Sequence, residues 1–197
     1  MVDNKSLLDQ VKTLISVGDV YFLENLLSKH KLTSSSHYSK LLQTLKDKED
    51  FNLAHQICKT GSLETLQFFQ KKAGLKEALL NLDFVDGNGQ NCLHYSVGRN
   101  HYDFVKYLLR DHSSKIDVNQ RTIEKGESPI FYALGKIKHS QTDKIKMVKL
   151  LLEDGRIDVG LLNSDKKAAY EAYNDQFGFD EASALVEKRH LNGPDQS

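Results

Sequence analysis

Tryptophan is absent from this sequence of 197 residues, and cysteine, proline and methionine occur only twice each. The two cysteines, Cys58 and Cys92, lack the CxxC or Cys/His spacing of a metal or redox site. A secreted domain of this size more often contains several cysteine pairs, so two isolated thiols favour a reducing compartment.

Long hydrophobic runs are also absent. No stretch approaches the roughly 18 apolar residues that a membrane span requires, and residues 1–5 lack the basic-then-apolar order of a secretion signal. We therefore expect a cytoplasmic protein without a membrane span.

An excess of charge of either sign is missing as well. Lys and Arg together number 27, and Asp and Glu together number 27. A balanced chain has no global electrostatic attraction to nucleic acid or anionic lipid, so neither is expected as a partner. The length suits one compact domain or one short array of repeats.

The sequence does contain an internal repeat, whose clearest copy covers residues 86–109. It begins with a polar turn that contains glycine, continues with a short helix and a tight turn, and ends with a second helix. In that second helix Phe104, Val105, Leu108 and Leu109 fall on one face, as in an amphipathic helix that packs on a core.

The same order of elements recurs on both sides of this copy. Ala54, Leu93 and Ile130 occupy corresponding places, at intervals of 39 and 37 residues. A weaker copy covers residues 167–186 and a degenerate one covers residues 7–27, so the pattern predicts five helix pairs.

These motifs resemble the ankyrin repeat family. Its consensus opens the first helix with Thr-Pro-Leu-His, and residues 91–94 and 128–131 each match two of the four positions. Residues 152–159 are similar to the ending of the family's repeat. The likeness covers about residues 5–190, although the units are longer than the usual length of about 33.

The resemblance implies an all-α solenoid of stacked helix-turn-helix pairs with short turn or hairpin fingers. We expect one domain at residues 1–190, followed by a frayed tail. The expected units are residues 4–30, 38–74, 75–118, 119–160 and 161–190, and the tail is 191–197. Residues in excess of the consensus are assigned to loops, one of them at 139–144.

Local chemistry refines these boundaries. Asn91 and Ser128 are suited to cap the helices that follow them, because their side-chain oxygens can accept bonds from unpaired backbone amides. Gly61 lies where the chain reverses between two helices and a positive φ is expected, so Gly61→Val should destabilise the array.

No residue pattern predicts catalysis or a cofactor. The resemblance implies that His55 and His94 make hydrogen bonds between adjacent turns rather than bind a metal. Cys58 and Cys92 lie beside apolar neighbours and are expected to be buried, unreactive thiols. The turn at residues 86–89 lacks the further ligands of a calcium or phosphate loop.

The resemblance further implies that the concave face binds another protein. Carried over by register, this predicted surface comprises Lys48, Glu49, Phe51, Lys59, Asn88, Gln90, Arg99, Lys125, Glu127 and Lys136, with Gly98 and Asn174 beside it. Several of these residues are basic, so we expect the partner to bind through an acidic or extended polar segment. We expect the chain itself to be a monomer.

Two other interpretations stay open at this point. The chain could be a bacterial effector or adaptor that is delivered to a host cytosol and engages a host protein. It could also be an enzyme that uses the long loops at residues 31–40 or 136–146. A deep pocket with converging polar groups would favour the enzyme.

Overall fold

The computed structural model describes residues 4–34, 36–37, 53–72, 84–111, 116–137 and 140–193. Within these residues the chain forms ten α-helices and no strand. The helices are α1 (Asn4–Val17), α2 (Val20–Lys29), α3 (Leu53–Thr60), α4 (Leu63–Lys72), α5 (Cys92–Gly98), α6 (Tyr102–Asp111), α7 (Pro129–Gly135), α8 (Gln141–Leu152), α9 (Ala169–Phe177) and α10 (Glu181–Asn192). The predicted groove residues Lys48, Glu49 and Phe51 lie outside the described residues.

The helices form five consecutive pairs, as the repeat pattern predicts. The first helix of each pair packs against the first helix of the next, so α1, α3, α5, α7 and α9 form an inner row. The second helices form an outer row, in which α8 packs against α10. This arrangement is an all-α solenoid, in which each pair contacts chiefly its neighbours.

One hydrophobic core runs through the whole stack. Each inner helix buries apolar residues that are four positions apart, because such residues lie on the same helix face. Examples are Val11 and Ile15, Leu53 and Ile57, Leu93 and Val97, and Ile130 and Leu134. No single pair encloses this surface, so neighbouring pairs must stack in order to remove it from water.

Helix caps set where the inner helices begin, but not all of them form as expected. Asn91 caps α5, since its side-chain oxygen accepts hydrogen bonds from the amides of Leu93 (3.1 Å) and His94 (3.3 Å). The prediction for Ser128 is wrong, because its hydroxyl makes no bond to α7. The Phe131 amide donates instead to the backbone carbonyl of Ser128 (3.0 Å).

The loop expected at residues 139–144 is also shorter than predicted. Ser140 accepts a hydrogen bond from the Asp143 amide (3.0 Å) and thereby starts α8 at Gln141. Residues 141–144 therefore form the first turn of a helix.

Gly61 is required for two reasons. Its φ of +69° lies in the left-handed region, as the sequence predicts. In addition, a Cβ at Gly61 would lie 2.3 Å from Cγ of His101. The His101 ring occupies that space because its Nε2 bonds to the backbone carbonyl of Lys59 (2.8 Å).

The expectation of two separate thiols is wrong. Cys58 and Cys92 form a disulfide bond that joins α3 to α5, with their Cα atoms 5.3 Å apart. Both residues are buried, as expected. They occupy different positions in their helices, but the stacking of the second pair on the third brings their sulfur atoms together.

Candidate functional site

The candidate site is the exposed face of the inner helices together with the loops that precede them. We call these loops finger loops; they cover residues 84–91, 116–128 and 157–168. Each finger loop contains a polar side chain that holds its turn closed. Asp86 accepts hydrogen bonds from the amides of Asn88 (2.9 Å) and Gln90 (2.8 Å). Asn163 accepts two amide bonds in the same places, and Thr122 accepts one.

Neighbouring finger loops are also joined through their backbones. The Ile123 amide donates to the carbonyl of Asn88 (2.9 Å), and the Ser164 amide donates to the carbonyl of Lys125 (2.8 Å). Arg121 adds a side-chain bond to the carbonyl of Leu162 (2.7 Å). The three finger loops therefore form a connected row beside the inner helices.

Two histidines fix the finger loops to the stack, which confirms the role that was expected of them. Nε2 of His55 bonds to the carbonyl of Phe84 (2.8 Å), and Nε2 of His94 bonds to the carbonyl of Glu127 (3.1 Å). Burial lowers the pKa of His94 to about 4, so its ring is neutral at pH 7. Among the described residues no group of three or more His, Cys, Asp or Glu is placed to hold a metal ion.

The three basic residues predicted on the inner helices are not fully equivalent. Arg99 and Lys136 are both exposed and are the C-cap residues of α5 and α7. Lys59 is half-buried and lies one position earlier, at the seventh residue of α3. The residues equivalent to Lys59 are Gly98 and Gly135.

The predicted residues on the finger loops have two kinds of environment. Asn88 and Lys125 are exposed near the loop tips. Gln90 and Glu127 are half-buried at the loop bases. The Gln90 carbonyl accepts a hydrogen bond from the Asp86 amide, and the Glu127 carbonyl bonds to Nε2 of His94. Asn174, on α9, has a buried Oδ1 for which the described part of the chain offers no hydrogen-bond partner.

The fourth residues of α3, α5, α7 and α9 form part of the groove floor, and the sequence reasoning missed them. These residues are Gln56, Tyr95, Tyr132 and Ala172. The Tyr95 hydroxyl donates to the carboxylate of Asp86 (2.5 Å). The signal in the sequence was a tyrosine directly after the helix-opening tetrapeptide in two successive units.

Tyr132 is held between two neighbours. Its ring packs edge-to-face on His94, with centroids 5.0 Å apart, and the Lys136 ammonium lies 5.7 Å from the centroid. Burial raises the pKa of the Tyr132 hydroxyl to about 12, so it stays protonated. Two exposed apolar residues at the finger tips, Ile123 (73% exposed) and Leu162 (45%), were also not predicted.

A polar cluster lies between the fourth and fifth helix pairs. The Lys144 ammonium bonds to the Tyr173 hydroxyl (2.5 Å) and pairs with Asp180 (3.2 Å), and the Tyr173 hydroxyl donates to Asp180 (2.5 Å). Burial opposes the ionisation of Asp180. Hydrogen bonds from Tyr173, the Ser183 amide and Lys144 outweigh it and lower the pKa of Asp180 to about 2.

Comparison with known proteins agrees with this architecture. Residues 14–122 and residues 54–163 match the family model described as ankyrin repeats in three copies, and together these spans cover well over half of the chain. No curated protein matches the sequence. No helix in the described ranges is long and apolar enough to cross a membrane.

Proposed function

The chain belongs to the ankyrin-repeat family, and from that premise we propose that it binds a protein partner through the concave face of its inner helices and its finger loops. Ankyrin repeats are generally protein–protein interaction modules, and the family is typically non-enzymatic.

One observation carries the proposal. Arg99 and Lys136 stand at equivalent positions on successive inner helices, and both are exposed. No acidic side chain within the described ranges pairs with either of them. The partly buried ring of Tyr132 lies beside the Lys136 ammonium and beside Gly98, the residue that precedes Arg99, and it offers aromatic contact area.

The rigidity of this surface supports a binding role. Hydrogen bonds from His55 and His94 and the backbone bonds between finger loops hold the surface in one arrangement. A surface that is already ordered loses little conformational entropy on binding, so side-chain complementarity sets the affinity.

The charges favour one class of partner segment. Arg99 and Lys136 place positive charge at the C-terminal ends of α5 and α7, and Lys125 adds an exposed positive charge on the finger loop that precedes α7. An extended segment with acidic side chains would complement them, and such complementarity raises association rates and specificity. The residues Lys48, Glu49, Phe51, Lys59, Asn88, Gln90 and Glu127 stay predictions as further contacts.

Charge reversal tests this proposal. The double variant Arg99→Glu with Lys136→Glu should lose most of its partner in affinity capture that is quantified by mass spectrometry. A matched control, Lys188→Glu with Arg189→Glu, makes the same charge change on α10, away from the groove. The control should retain the partner. Both variants place carboxylates at or near helix C-termini, so both should lose a similar small stability, about 1 kcal/mol, and stay folded.

Equal recovery of the partner by the groove variant and the control would reject this surface. The interpretations as an effector or adaptor in a host cell, a cytoplasmic location and a monomeric state all stay predictions.

A further inference from the structure

The floor of the groove changes between successive helix pairs. At the step from the third to the fourth pair, Tyr132 covers Gly98. A Cβ at Gly98 would lie 3.2 Å from Cδ1 of Tyr132, so a side chain there would require the ring to shift by a few tenths of an ångström. At the next step Gly135 is equivalent to Gly98, and Ala172 is equivalent to Tyr132. Apart from the adjoining residues and backbone of α7 itself, no atom of the described residues lies within 4 Å of the place where a Cβ on Gly135 would stand.

A cavity of about 350 Å³ lies beside Gly135. We call it the socket. Its apolar lining residues are Leu134, Ile137 and Phe177, and its polar lining residues are Ser140, Gln141, Lys144 and Tyr173. The volume falls within the range of small-ligand pockets, about 300–1,000 Å³.

The lining of the socket suits an aromatic side chain with a polar end. Phe177 is 55% exposed, so an incoming ring would remove apolar surface from water and could pack against the Phe177 ring. The Ser140 hydroxyl already accepts a hydrogen bond from the Asp143 amide and the Gln141 side chain already bonds to Asp180, which leaves the Ser140 proton and the Gln141 side-chain oxygen to bond a hydroxyl group. Because Lys144 is already paired with Asp180, the socket does not require a negatively charged ligand.

We propose that the socket binds a tyrosine side chain of the protein partner, which continues the row formed by Tyr95 and Tyr132. This inference rests on the proposed function, because it assigns one residue of the partner to the groove. The template is internal: Tyr132 shows how a tyrosine ring covers a glycine at this place in the repeat, with the Lys136 ammonium beside it. An acidic residue next to the bound tyrosine would then face Lys136.

The inference can be tested without the partner. N-acetyl-L-tyrosinamide is titrated into the ¹⁵N-labelled full chain, and amide chemical shifts are followed by NMR. We expect saturable shifts that centre on Leu134, Gly135, Ile137 and Phe177. N-acetyl-L-leucinamide should bind at least fivefold more weakly, because it has no ring to place against Phe177 and no hydroxyl group.

Two variants place a larger side chain next to the socket. Gly135 lines the socket, whereas Ala172 does not line it and is chosen because the equivalent Tyr132 covers Gly98. Ala172→Tyr places a tyrosine at the position equivalent to Tyr132, and Gly135→Leu fills the open space above the helix. Either change should weaken the binding of N-acetyl-L-tyrosinamide at least tenfold. Gly155→Leu is the matched control, since Gly155 also has open space around it but lies outside the socket. The control should bind like the parent.

Melting curves identify a variant that fails to fold, and the second filling variant then replaces it. Absence of shifts with the tyrosine probe, equal binding of the leucine probe, or full binding by a folded filling variant would each overturn the inference. If the socket fails while Arg99→Glu with Lys136→Glu still abolishes capture, the groove proposal stands alone. If that charge reversal has no effect, the groove proposal fails, whatever the probe does.

Discussion

The interface between the second and third helix pairs and the interface between the fourth and fifth follow the same plan but are held by different chemistry. In the first, α3 and α5 share a buried disulfide bond, and the His101 ring fills the space over Gly61. In the second, Lys144, Tyr173 and Asp180 form a polar cluster beside the socket.

This difference indicates where the array has room to bind. At the interface of the second and third pairs, the disulfide bond and the His101 ring occupy the space that they share. At the interface of the fourth and fifth pairs, the ion pair of Lys144 and Asp180 is partly buried, and Lys144, Gln141 and Tyr173 also line an open cavity. A partner can therefore reach polar groups at this second interface.

The largest expected effect is the loss of the disulfide bond. Cys58 and Cys92 are 34 positions apart. A disulfide bond that closes a loop of this length lowers the conformational entropy of the unfolded chain and thereby stabilises the folded state by about 4 kcal/mol. Reduction with a dithiol should therefore lower the free energy of unfolding by that order, as measured by urea titration with and without reductant. Alkylation followed by mass measurement reports the number of free thiols in each sample.

Identical urea midpoints for the oxidised and reduced chain would contradict a stabilising role for the disulfide bond. The double variant Cys58→Ser with Cys92→Ser should behave like the reduced chain and no longer respond to reductant.

A smaller loss is expected for Gly61→Val. The variant must adopt a positive φ, which is strained for a β-branched residue, and must also displace the His101 ring. Together these effects should cost about 3 kcal/mol, measured by urea unfolding at neutral pH. Gly135→Ala is the control, because its Cβ meets no atom and alanine favours a helix. A Gly61→Val variant as stable as the parent would contradict both the strain of the positive φ and the clash with the His101 ring.

The smallest expected effect concerns the polar cluster at the other interface. The pKa of Asp180 in the folded chain is about 2, below its ordinary value of 3.8. Its ionised form therefore stabilises the fold above about pH 4, and this contribution is lost as the pH falls from about 4 towards 2. Asp180→Asn should lower the free energy of unfolding by about 1 kcal/mol at pH 7, because water screens part of the interaction, and the gap from the parent should shrink in acid.

The measurement is urea unfolding of the parent and of Asp180→Asn at pH 7, pH 4 and pH 2.5. Asp175→Asn provides the comparison, since Asp175 belongs to an exposed ion pair with Lys167 and should have no resolvable effect. A gap between the parent and Asp180→Asn that stays constant with pH would exclude the ionisation of Asp180 as its cause.

Much of the fold could be predicted because it depends on short stretches of sequence. The period of Phe104, Val105, Leu108 and Leu109 predicted an outer helix, and α6 is that helix. The carbonyl bonds of His55 and His94 were implied by the family resemblance and are present.

Ser128 shows where local reasoning failed. The residue stands at the N-cap, as predicted, but the Phe131 amide has already found a backbone carbonyl. Whether a side chain caps a helix therefore depends on which acceptors the backbone geometry places near the free amides. The residue type alone does not determine the cap.

The candidate site was predictable only in outline. Arg99 and Lys136 lie in equivalent exposed positions, as register suggested, whereas Lys59 belongs to the preceding helical position and is half-buried. The socket could not be predicted, because it requires that Gly135 and Ala172, which are 37 residues apart, both lack a large side chain at the same step of the stack.

The amino-acid sequence by itself determined the order of the helix pairs, the face that each helix buries and the turns between paired helices. Each of these follows from apolar spacing and glycine within a few turns of chain, where neighbouring residues are fixed by backbone geometry. Only the tertiary structure decided that Cys58 meets Cys92, that Lys144 meets Asp180, and that a cavity opens beside Gly135. These contacts depend on how one helix pair is positioned against the next, and the packing of the whole interface sets that position.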